Sequence, residues 1–401
     1  MASENTFVFV VCGDDEHIDT LNFSIRYLKH FSKKRIVVIT DLNRNKKAIE
    51  HDQIVNVKTP EHLNHHQASI YLKTSLHRYL DTAGTCCYID TDVIAVSKDV
   101  DTIFDLYVPP VTFASDHCAL REFSPYAVNC DCNENKRNKY RQLDALQDKH
   151  NPNTSIKDPF LQDKAKQLIK TFYLQKRKPF RYGLLMARYF LSPRYFSLDD
   201  EFYYDKRKEI WHFADGRPVL YSISGYYRKI EKESFFRWHK SRQIWLDDTG
   251  ENAYIAYCNH LTEEIQKKFG IIVSDKDWQH WNGGVFLFNK ESHAFLDAWH
   301  DKTMQIFETP AWKTRDQGTL VATAWEFGLQ NHKRLPQAYN FIADYYKQNI
   351  TFDRDKGFST DKFKTLIKPF FIHVYHEFGR SDWDVWQAIE ALLEKSVKCE
   401  V

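Results

Sequence analysis

Cys86-Cys87-Tyr88-Ile89-Asp90-Thr91-Asp92-Val93-Ile94-Ala95-Val96 is the stretch of sequence that decides the fold. Its apolar residues predict a buried strand, which two carboxylates one residue apart interrupt. A carboxylate in apolar surroundings is unfavourable unless a charge or hydrogen-bond donors compensate it. Side chains at i and i+2 of an extended chain point the same way, so Asp90 and Asp92 can bind one divalent cation. The alternative is an ordinary turn at the end of a strand, where Asp is common.

Strands and helices alternate around this stretch. Short apolar runs predict strands and apolar residues at helical spacing predict helices, over Phe7–Cys12 (strand), Ile18–Phe31 (helix), Arg35–Asp41 (strand), Ile54–Val57 (strand) and His66–Leu80 (helix). This order predicts an α/β protein with a mostly parallel sheet. Such sheets bind ligands beyond the carboxyl ends of their strands. Gly13, Asp14, Asp41 and Asp90 fall there and mark the expected site.

The sequence predicts three regions, which span residues 1–116, 117–250 and 251–401. The middle region is basic and aromatic, since residues 133–242 contain 25 Lys and Arg against 13 Asp and Glu. We interpret it as a large helical, solvated insertion that forms the acceptor region, because no nucleic-acid-binding motif accompanies the charge. Its basic side chains are compatible with an anionic acceptor or a diphosphate.

The composition of the whole chain argues against several classes of protein. Its formal charge of +2, from 56 basic and 54 acidic residues, argues against general attraction to nucleic acid or to a membrane surface. No apolar run is long enough to span a bilayer. Eight cysteines in 401 residues do not make a disulfide framework. We therefore expect a soluble, cytoplasmic protein in a reducing compartment, in which Cys86 and Cys87 are core residues.

Motifs in a fixed order resemble those of glycosyltransferases with the GT-A (Rossmann-like) fold. The layout is most similar to family 8, which includes bacterial galactosyl- and glucosyltransferases and glycogenin. In the first part of the chain, the resemblance rests on the strand and turn Phe7–Asp15, on Tyr88–Val93, which contains the two aspartates, and on Lys73 in the helix before it. In the last part, it rests on Asn282-Gly283-Gly284-Val285, whose glycine pair is expected to open a strand, on Asp316-Gln317 at a helix start, and on His376–Arg380. The resemblance leaves the basic insertion uncovered.

The resemblance implies a metal-dependent enzyme that transfers a hexose from a UDP-sugar to an acceptor with retention of the anomeric configuration. It implies that Mn²⁺ or Mg²⁺ binds Asp90, Asp92 and a histidine, and the mixed oxygen and imidazole ligands favour Mn²⁺. The residues expected to line the donor sugar as catalytic groups are Asn282, Asp316 and Gln317. Those expected around the nucleotide and its phosphates are Val11, Cys12, Gly13, Asp14, Asp41, Lys73, Thr91, Gly283, Gly379 and Arg380.

The C-terminal motif departs from the family pattern. The family has His-x-x-Gly-x-x-Lys, and here Asp382 stands at the position of the lysine. The spacing to Gly379 favours His376 as the third metal ligand, but His373 directly follows an apolar triplet and competes with it. Arg380 is the only nearby cation in the sequence that could replace the phosphate-binding lysine.

Three alternatives stay open at this point. A sugar nucleotidyltransferase also combines an α/β sheet with acidic metal ligands, although the acidic turn after Gly13 disfavours a triphosphate there. The missing lysine is compatible with a catalytically silent sugar-nucleotide or carbohydrate-binding protein. If the enzyme inverts the configuration, Asp277 or Asp316 is the candidate base. The acceptor is expected to be a glycan, a protein or a small molecule, including an anionic one, and nucleic acid is not expected.

Overall fold

The chain forms two compact units in a computed structural model, which describes residues 4–13, 15–150, 158–176, 178–221, 223–313, 316–343, 350–353, 357–360 and 366–398. Unit 1 consists of residues 1–130 and 257–401, and unit 2 consists of residues 131–256. Unit 2 is therefore inserted into unit 1. The sequence-based boundaries after residues 116 and 250 lie a short distance before the structural ones.

The first part of unit 1 alternates strands and helices in the predicted order. Its elements are β1 (Thr6–Val10), α1 (Asp15–Phe31), β2 (Arg35–Thr40), β3 (Ile54–Asn56), α2 (His65–Ser75), β4 (Cys86–Ile89), β5 (Val93–Ala95), β6 (Thr112–Ala119) and α3 (Leu120–Ala127). Short 3₁₀ turns follow α2 at Leu76–Arg78 and precede β6 at Val100–Leu106. Helix α2 begins with a capping box, in which Asn64 accepts a hydrogen bond from the Gln67 amide.

Unit 2 is a mixture of helices and antiparallel strands. Its elements are α4 (Cys132–His150), α5 (Pro159–Lys176), α6 (Pro179–Leu191), β7 (Tyr195–Ser197), β8 (Phe202–Asp205), β9 (Ile210–Phe213), β10 (Pro218–Tyr221), α7 (Ile223–Glu233), β11 (Arg237–His239) and β12 (Ile244–Leu246). Strands β7 to β10 form one sheet and β11 pairs with β12. The expectation of a helical insertion was thus incomplete, because its clustered Tyr, Phe and Trp residues favour strands as well.

The second part of unit 1 returns to the central sheet. Its elements are α8 (His260–Phe269), β13 (Gln279–Phe288), α9 (His293–Ile306), α10 (Gln317–Glu326), β14 (Phe341–Ile342), β15 (Ile350–Asp353), β16 (Gly357–Thr360), β17 (Leu366–Ile367), β18 (Phe371–His373) and α11 (Asp384–Lys398). Among the described residues, no helix has both the length and the apolar character needed to cross a membrane.

The central sheet has the strand order β3-β2-β1-β4-β13-β6. The four strands β3, β2, β1 and β4 are mutually parallel, and β13 is antiparallel to both β4 and β6. Both faces of the sheet are covered. In β1, Val8 and Val10 belong to the core on one face, and Phe7 and Phe9 belong to the core on the other. The predicted α/β class with a mostly parallel sheet is confirmed.

A small second sheet of unit 1 has the order β14-β18-β5. Strand β5 directly follows the two aspartates of the opening motif. Strand β18 runs antiparallel to it, with His373 opposite Val93. The amide of Val374 donates to the carbonyl oxygen of Asp92 over 3.0 Å. This pairing places the end of β18 next to the two aspartates that follow β4.

Candidate active site

The carboxyl ends of β1, β2 and β4 meet at one edge of the central sheet, because these strands are parallel. Gly13, Asp41 and Asp90 follow these strands at that edge. The antiparallel strand β13 crosses the same edge and carries Asn282 there. Asp14, which the sequence places beside the nucleotide, lies outside the described residues. The structure therefore assembles its candidate site where the strand order predicts it.

Asp90, Asp92 and His373 form a group whose ligand atoms all lie within 4.8 Å of one another. His373 Nε2 lies 3.3 Å from Asp92 Oδ1. The other ring nitrogen, Nδ1, lies 3.0 Å from the side-chain oxygen of Asn340, which can only accept a hydrogen bond. Nδ1 therefore carries a proton, and Nε2 needs a second proton or a cation to face the carboxylate.

His376 lines the same cavity but does not belong to that group. Strand β18 ends at His373, so His376 lies beyond the paired backbone that fixes His373 against Asp92. Burial by itself would raise the pKa of Asp92, but the neighbouring His373 outweighs burial and lowers it. Of the two histidines that the sequence left open, His373 is therefore the one placed beside both aspartates.

Gly283 and Gly284 lie inside β13 and form a bulge, whereas the sequence led us to expect them at its start. Asn282 is opposite Ala114 of β6, and pairing with β6 resumes only at Phe286. On the other side, the Asp90 amide donates to the carbonyl oxygen of Gly284 over 2.8 Å. The bulge detaches β13 from β6 while it keeps its contact with Asp90, which is a common use of bulges near active sites.

Position 284 requires glycine, because side chains of the candidate site leave no space for a Cβ atom there. A Cβ atom there would lie 2.7 Å from His373 Cε1, 2.8 Å from Asn282 Oδ1 and 2.9 Å from Asp90 Oδ2. All three distances are shorter than real Cβ contacts. A Cβ on Gly283 would meet as its nearest atom only Lys73 Nζ, the end of a flexible side chain, at 3.4 Å.

We predict that Gly284→Ala weakens binding of Mn²⁺ by roughly 5–150-fold, because displacing a packed neighbour costs roughly 1–3 kcal/mol. Isothermal titration calorimetry with Mn²⁺ measures the change. Gly283→Ala is the matched control and should bind Mn²⁺ almost as the unmodified protein does. Equal Mn²⁺ affinities of the two variants would contradict the arrangement described here.

Lys73 lies in the interior, between two carboxylates. Its Nζ is 3.2 Å from Asp90 Oδ1 and 3.2 Å from Asp316 Oδ2. Burial alone would lower the pKa of Lys73, but the two carboxylates outweigh it and raise the pKa above its usual value. Tyr88 also donates a short hydrogen bond to Asp90. Lys73 therefore stays charged and holds the Asp90 carboxylate in place.

A cavity of about 430 Å³ opens beside Asp90, Asp92 and His373. It is lined by Asp90, Asp92, Asp116, His117, Cys118, Glu122, Phe123, Tyr126, Asn282, Gln317, Ile342, His373, Tyr375 and His376. Two of the three predicted catalytic residues, Asn282 and Gln317, are among them. The third, Asp316, directs its carboxylate at Lys73.

Asn282 is held by hydrogen bonds at both ends of its amide group. Its oxygen accepts from the Gly284 amide at 2.8 Å and from Asn340 Nδ2 at 3.1 Å, and its nitrogen donates to Asp116 Oδ2 at 3.0 Å. Asn340 also holds His373. One network therefore connects His373 to the wall of the cavity.

Gln317 is oriented by His280. The two side chains are joined by a 3.1 Å hydrogen bond between His280 Nε2 and Gln317 Oε1. Burial lowers the pKa of His280, so the ring is neutral, and it donates from Nε2 because Oε1 can only accept. The ring of His280 also stacks on Phe123 with centroids 4.0 Å apart. The position of Gln317 is thus fixed before any ligand arrives.

The sequence analysis missed Asp116, His280 and Asn340. The sequence contained a pattern that could have identified Asp116. This residue follows the apolar residues of β6, as Asp90 follows the apolar residues of β4. Burial would raise the pKa of Asp116, but the neighbouring His117, 2.7 Å away, and the hydrogen bond from Asn282 lower it well below its usual range. Asp116 is therefore a buried anion. Asn340 had no signal in the sequence.

The predicted nucleotide-binding residues lie around the ends of β1 and β2. Val11 and Cys12 are buried, and burial raises the pKa of the Cys12 thiol to about 11. Gly13 has a φ of 82°, which favours glycine, and its amide donates to Asn45. Asp41 accepts hydrogen bonds from the amide and the hydroxyl group of Thr59.

The remaining predicted residues lie at two turns. The carbonyl oxygen of Thr91 accepts a hydrogen bond from the Ser24 hydroxyl group. Gly379 has a φ of 76°, so it forms a turn that favours glycine. Arg380 follows it with a 52% exposed side chain that pairs with Glu377 and Asp382 at 2.6 and 2.9 Å. Contact of these residues with a nucleotide stays a prediction.

No protein-family model and no curated protein matches this sequence. Solved glycosyltransferase structures are similar to it. The galactosyltransferase LgtC with donor and acceptor sugar analogues has 10% identity and a TM-score of 0.41, covering 98% of this chain and 95% of that chain. Mouse xyloside xylosyltransferase 1 has 8% identity and a TM-score of 0.37. The match covers 92% of this chain and 97% of that chain. The bifunctional glycosyltransferase WbbM has 12% identity and a TM-score of 0.37, covering 93% of this chain and 46% of WbbM, so this chain spans about half of it. At these values, function has to be argued from the side chains of this chain.

Proposed function

We propose that this protein is a glycosyltransferase that uses Mn²⁺ or Mg²⁺ to transfer a hexose from a UDP-sugar with retention of configuration. The observation that carries the proposal is the group of Asp90, Asp92 and His373 beside a cavity that Asn282 and Gln317 also line. Two carboxylates and an imidazole suit a divalent cation, and side-chain amides suit the hydroxyl groups of a sugar.

The residues present fit a cation of the Mn²⁺ type. Asp90, Asp92 and His373 would hold it, and a set of two oxygens and one imidazole nitrogen favours Mn²⁺ over Mg²⁺. Gly284 keeps the space between the ligands free of a side chain. When bound, the cation would supply Lewis-acid stabilisation of the charge that develops on the departing diphosphate.

The side chains of the protein hold the donor around this group. Lys73 fixes Asp90 through an ion pair of 3.2 Å, which orients the carboxylate. Asn282 forms a rigid wall, because both ends of its amide are already bonded. Gln317, oriented by His280, presents a dipole to the cavity that would stabilise positive charge at the anomeric carbon as its bond to the diphosphate breaks.

The two carboxylates that the sequence offered as the base of an inverting reaction lie outside the cavity. An inverting enzyme needs a carboxylate base on the acceptor side of the sugar. Asp316, one candidate base, faces Lys73 and does not line the cavity. Asp277, the other, has a 70% exposed side chain that pairs with Arg121 at 2.6 Å, and it does not line the cavity either. Neither residue is placed to act as that base.

A catalytically silent sugar-nucleotide-binding protein is the second candidate. The observation that favours it is the state of Arg380, whose charge is shared with Glu377 and Asp382. A cation neutralised in this way attracts phosphate less strongly than a lysine that has no acidic partner.

Incubation with a panel of UDP-sugars and Mn²⁺ separates the two functions. We expect slow release of UDP from at least one donor, and loss of that release in EDTA, because the proposed reaction needs a divalent cation. Binding of a UDP-sugar by calorimetry without release of UDP would identify the silent protein. Release that EDTA leaves unchanged would contradict a metal-dependent reaction.

The two histidines can be distinguished by their separate replacement. We expect His373→Ala to weaken Mn²⁺ binding by roughly 10–100-fold or more, since even residues that only orient a ligand have effects of this size. His376→Ala should change Mn²⁺ affinity less, because His376 is outside the group of ligand atoms. Electron paramagnetic resonance of bound Mn²⁺ measures both. A larger loss in His376→Ala would assign the metal to the histidine that the spacing to Gly379 favours.

A further inference from the structure

A second group of metal-binding side chains lies in unit 1 where α3 has ended and α8 begins. It contains Cys130, Cys258 and His260, whose ligand atoms all lie within 4.8 Å of one another. None of them lines the cavity described above. In the chain, Cys132 follows Cys130 after one residue, and His260 follows Cys258 after one residue. The sequence analysis did not single out any of these positions.

We propose that Cys130, Cys258 and His260 bind a structural Zn²⁺ ion, with Cys132 as the fourth ligand from its Cys-x-Cys spacing. Thiolate and imidazole ligands are the ones that zinc prefers, and a closed set of four suits a structural site. The chemistry differs from that of Asp90, Asp92 and His373, which offer no sulfur. The two groups should therefore select different metals.

The distance between the sulfur atoms agrees with this proposal. Cys130 Sγ and Cys258 Sγ are 4.0 Å apart. Two ligands of a tetrahedral zinc with bonds of about 2.3 Å are separated by about 3.8 Å. A disulfide would bring the same atoms to about 2.05 Å. The structure records both residues as thiols. The sulfur atoms thus have the spacing of two ligands of one ion.

The backbone around Cys258 holds its sulfur in place. The amide of Cys258 donates to the carbonyl oxygen of Arg121 over 3.0 Å. The Ser124 hydroxyl oxygen accepts from the Leu261 amide at 2.9 Å and lies 3.1 Å from Cys258 Sγ. Because that oxygen already accepts, its proton is available to the sulfur. Such a hydrogen bond to a ligand is typical of metal sites.

Cys130 is fixed from a different part of unit 1. The preceding residue, Asn129, donates its amide to the carbonyl oxygen of Ala311 over 2.7 Å, and Val128 forms a β-bridge with Trp312. The segments that carry the two cysteines are therefore both anchored to the core of unit 1. A zinc ion bound by Cys130 and Cys258 would close the long loop of chain between them and so stabilise unit 1.

Titration of the reduced, metal-free full-length protein with Co²⁺ tests the proposal. We expect a thiolate-to-cobalt charge-transfer absorption that saturates at one equivalent and disappears when Zn²⁺ is added. Cys258→Ser should reduce the intensity of the band, because it removes one thiolate ligand, and His260→Ala, which removes an exposed ligand, should weaken Co²⁺ binding at least tenfold. Asp92→Ala should keep the band, because the group of Asp90, Asp92 and His373 contains no thiol.

Two controls make the result specific. Cys86→Ala removes a buried thiol outside the group, and His62→Ala removes an exposed histidine outside it; both should keep the band. Absence of the band in the unmodified protein would overturn the proposal, as would a band unchanged in both Cys258→Ser and His260→Ala. Mass spectrometry of the protein isolated without reductant adds a further outcome: a Cys130–Cys258 disulfide in place of bound zinc would also overturn it.

Discussion

Replacing Asp92 with alanine will lower the rate of UDP release by roughly 10²–10³-fold, the loss seen when one preorganised electrostatic group is removed from an active site. Asp92 is the carboxylate that faces His373 at 3.3 Å, so its loss removes one of the three proposed metal ligands and leaves the histidine without its anionic partner. Most of the effect should appear in kcat, since the charge on the diphosphate develops as the bond breaks. A coupled assay for UDP, run at saturating Mn²⁺, measures it.

Asp277→Asn is the matched control for this experiment. Asp277 is an exposed carboxylate that pairs with Arg121 at the surface of unit 1, and such pairs contribute little to stability. We expect its rate of UDP release to stay within about twofold of the unmodified protein. The same variant tests the inverting mechanism, because loss of activity in Asp277→Asn would make this residue the base. Full activity in Asp92→Ala would refute the proposed metal site.

Replacing Lys73 with methionine will destabilise the metal-free protein by about 3–5 kcal/mol, which is the usual result of removing one partner of a buried ion pair. The side chains of Lys73, Asp90 and Asp316 are 10%, 28% and 11% exposed, so solvent does little to compensate the two carboxylates left behind. A divalent cation at Asp90 can replace part of the lost charge. Added Mn²⁺ should therefore raise the Tm of Lys73→Met more than that of the unmodified protein.

Lys302→Met provides the comparison for Lys73. Lys302 is also 10% exposed, but it pairs with one carboxylate, Glu326, that is 43% exposed. We expect a smaller loss of stability in this variant and no additional response to Mn²⁺. Differential scanning calorimetry measures the Tm of each of the two variants with and without Mn²⁺. If Mn²⁺ shifts the Tm of both variants equally, Lys73 does not share its carboxylate with the metal.

The order of elements in unit 1 was predictable because hydrophobic periodicity is a local property. The apolar runs before Cys12, Asp41 and Asp90 became β1, β2 and β4, and their parallel order placed the predicted edge correctly. The glycine pair was harder, because a bulge depends on the two neighbouring strands at once. Gly283 and Gly284 therefore lie within β13, although their sequence suggested that they begin a strand.

Unit 2 shows where local patterns were insufficient. The charge of residues 133–242 drew attention to solvated helices, and α4 to α7 are indeed helical. The strands β7 to β12 between and after them were missed, because short antiparallel strands are stabilised by partners across the sheet rather than by their own periodicity. Aromatic residues such as Phe202, Tyr204 and Trp211 form a core within this unit that no single segment could reveal.

The sequence by itself determined the α/β class and the order of strands and helices in the first part of unit 1, since both follow from local spacing. It did not determine the backbone at Asp90 and Asp92, which lie in a turn closed by a 3.1 Å hydrogen bond from the Val93 amide to the Asp90 carbonyl oxygen, and not on the extended chain that their spacing suggested. Only the tertiary structure decided which side chains lie beside these two carboxylates. The register of β18 against β5 placed His373 beside Asp92, and the burial of α2 placed Lys73 between two carboxylates. Both depend on packing between segments far apart in the chain, and for that reason no local pattern of residues contained them.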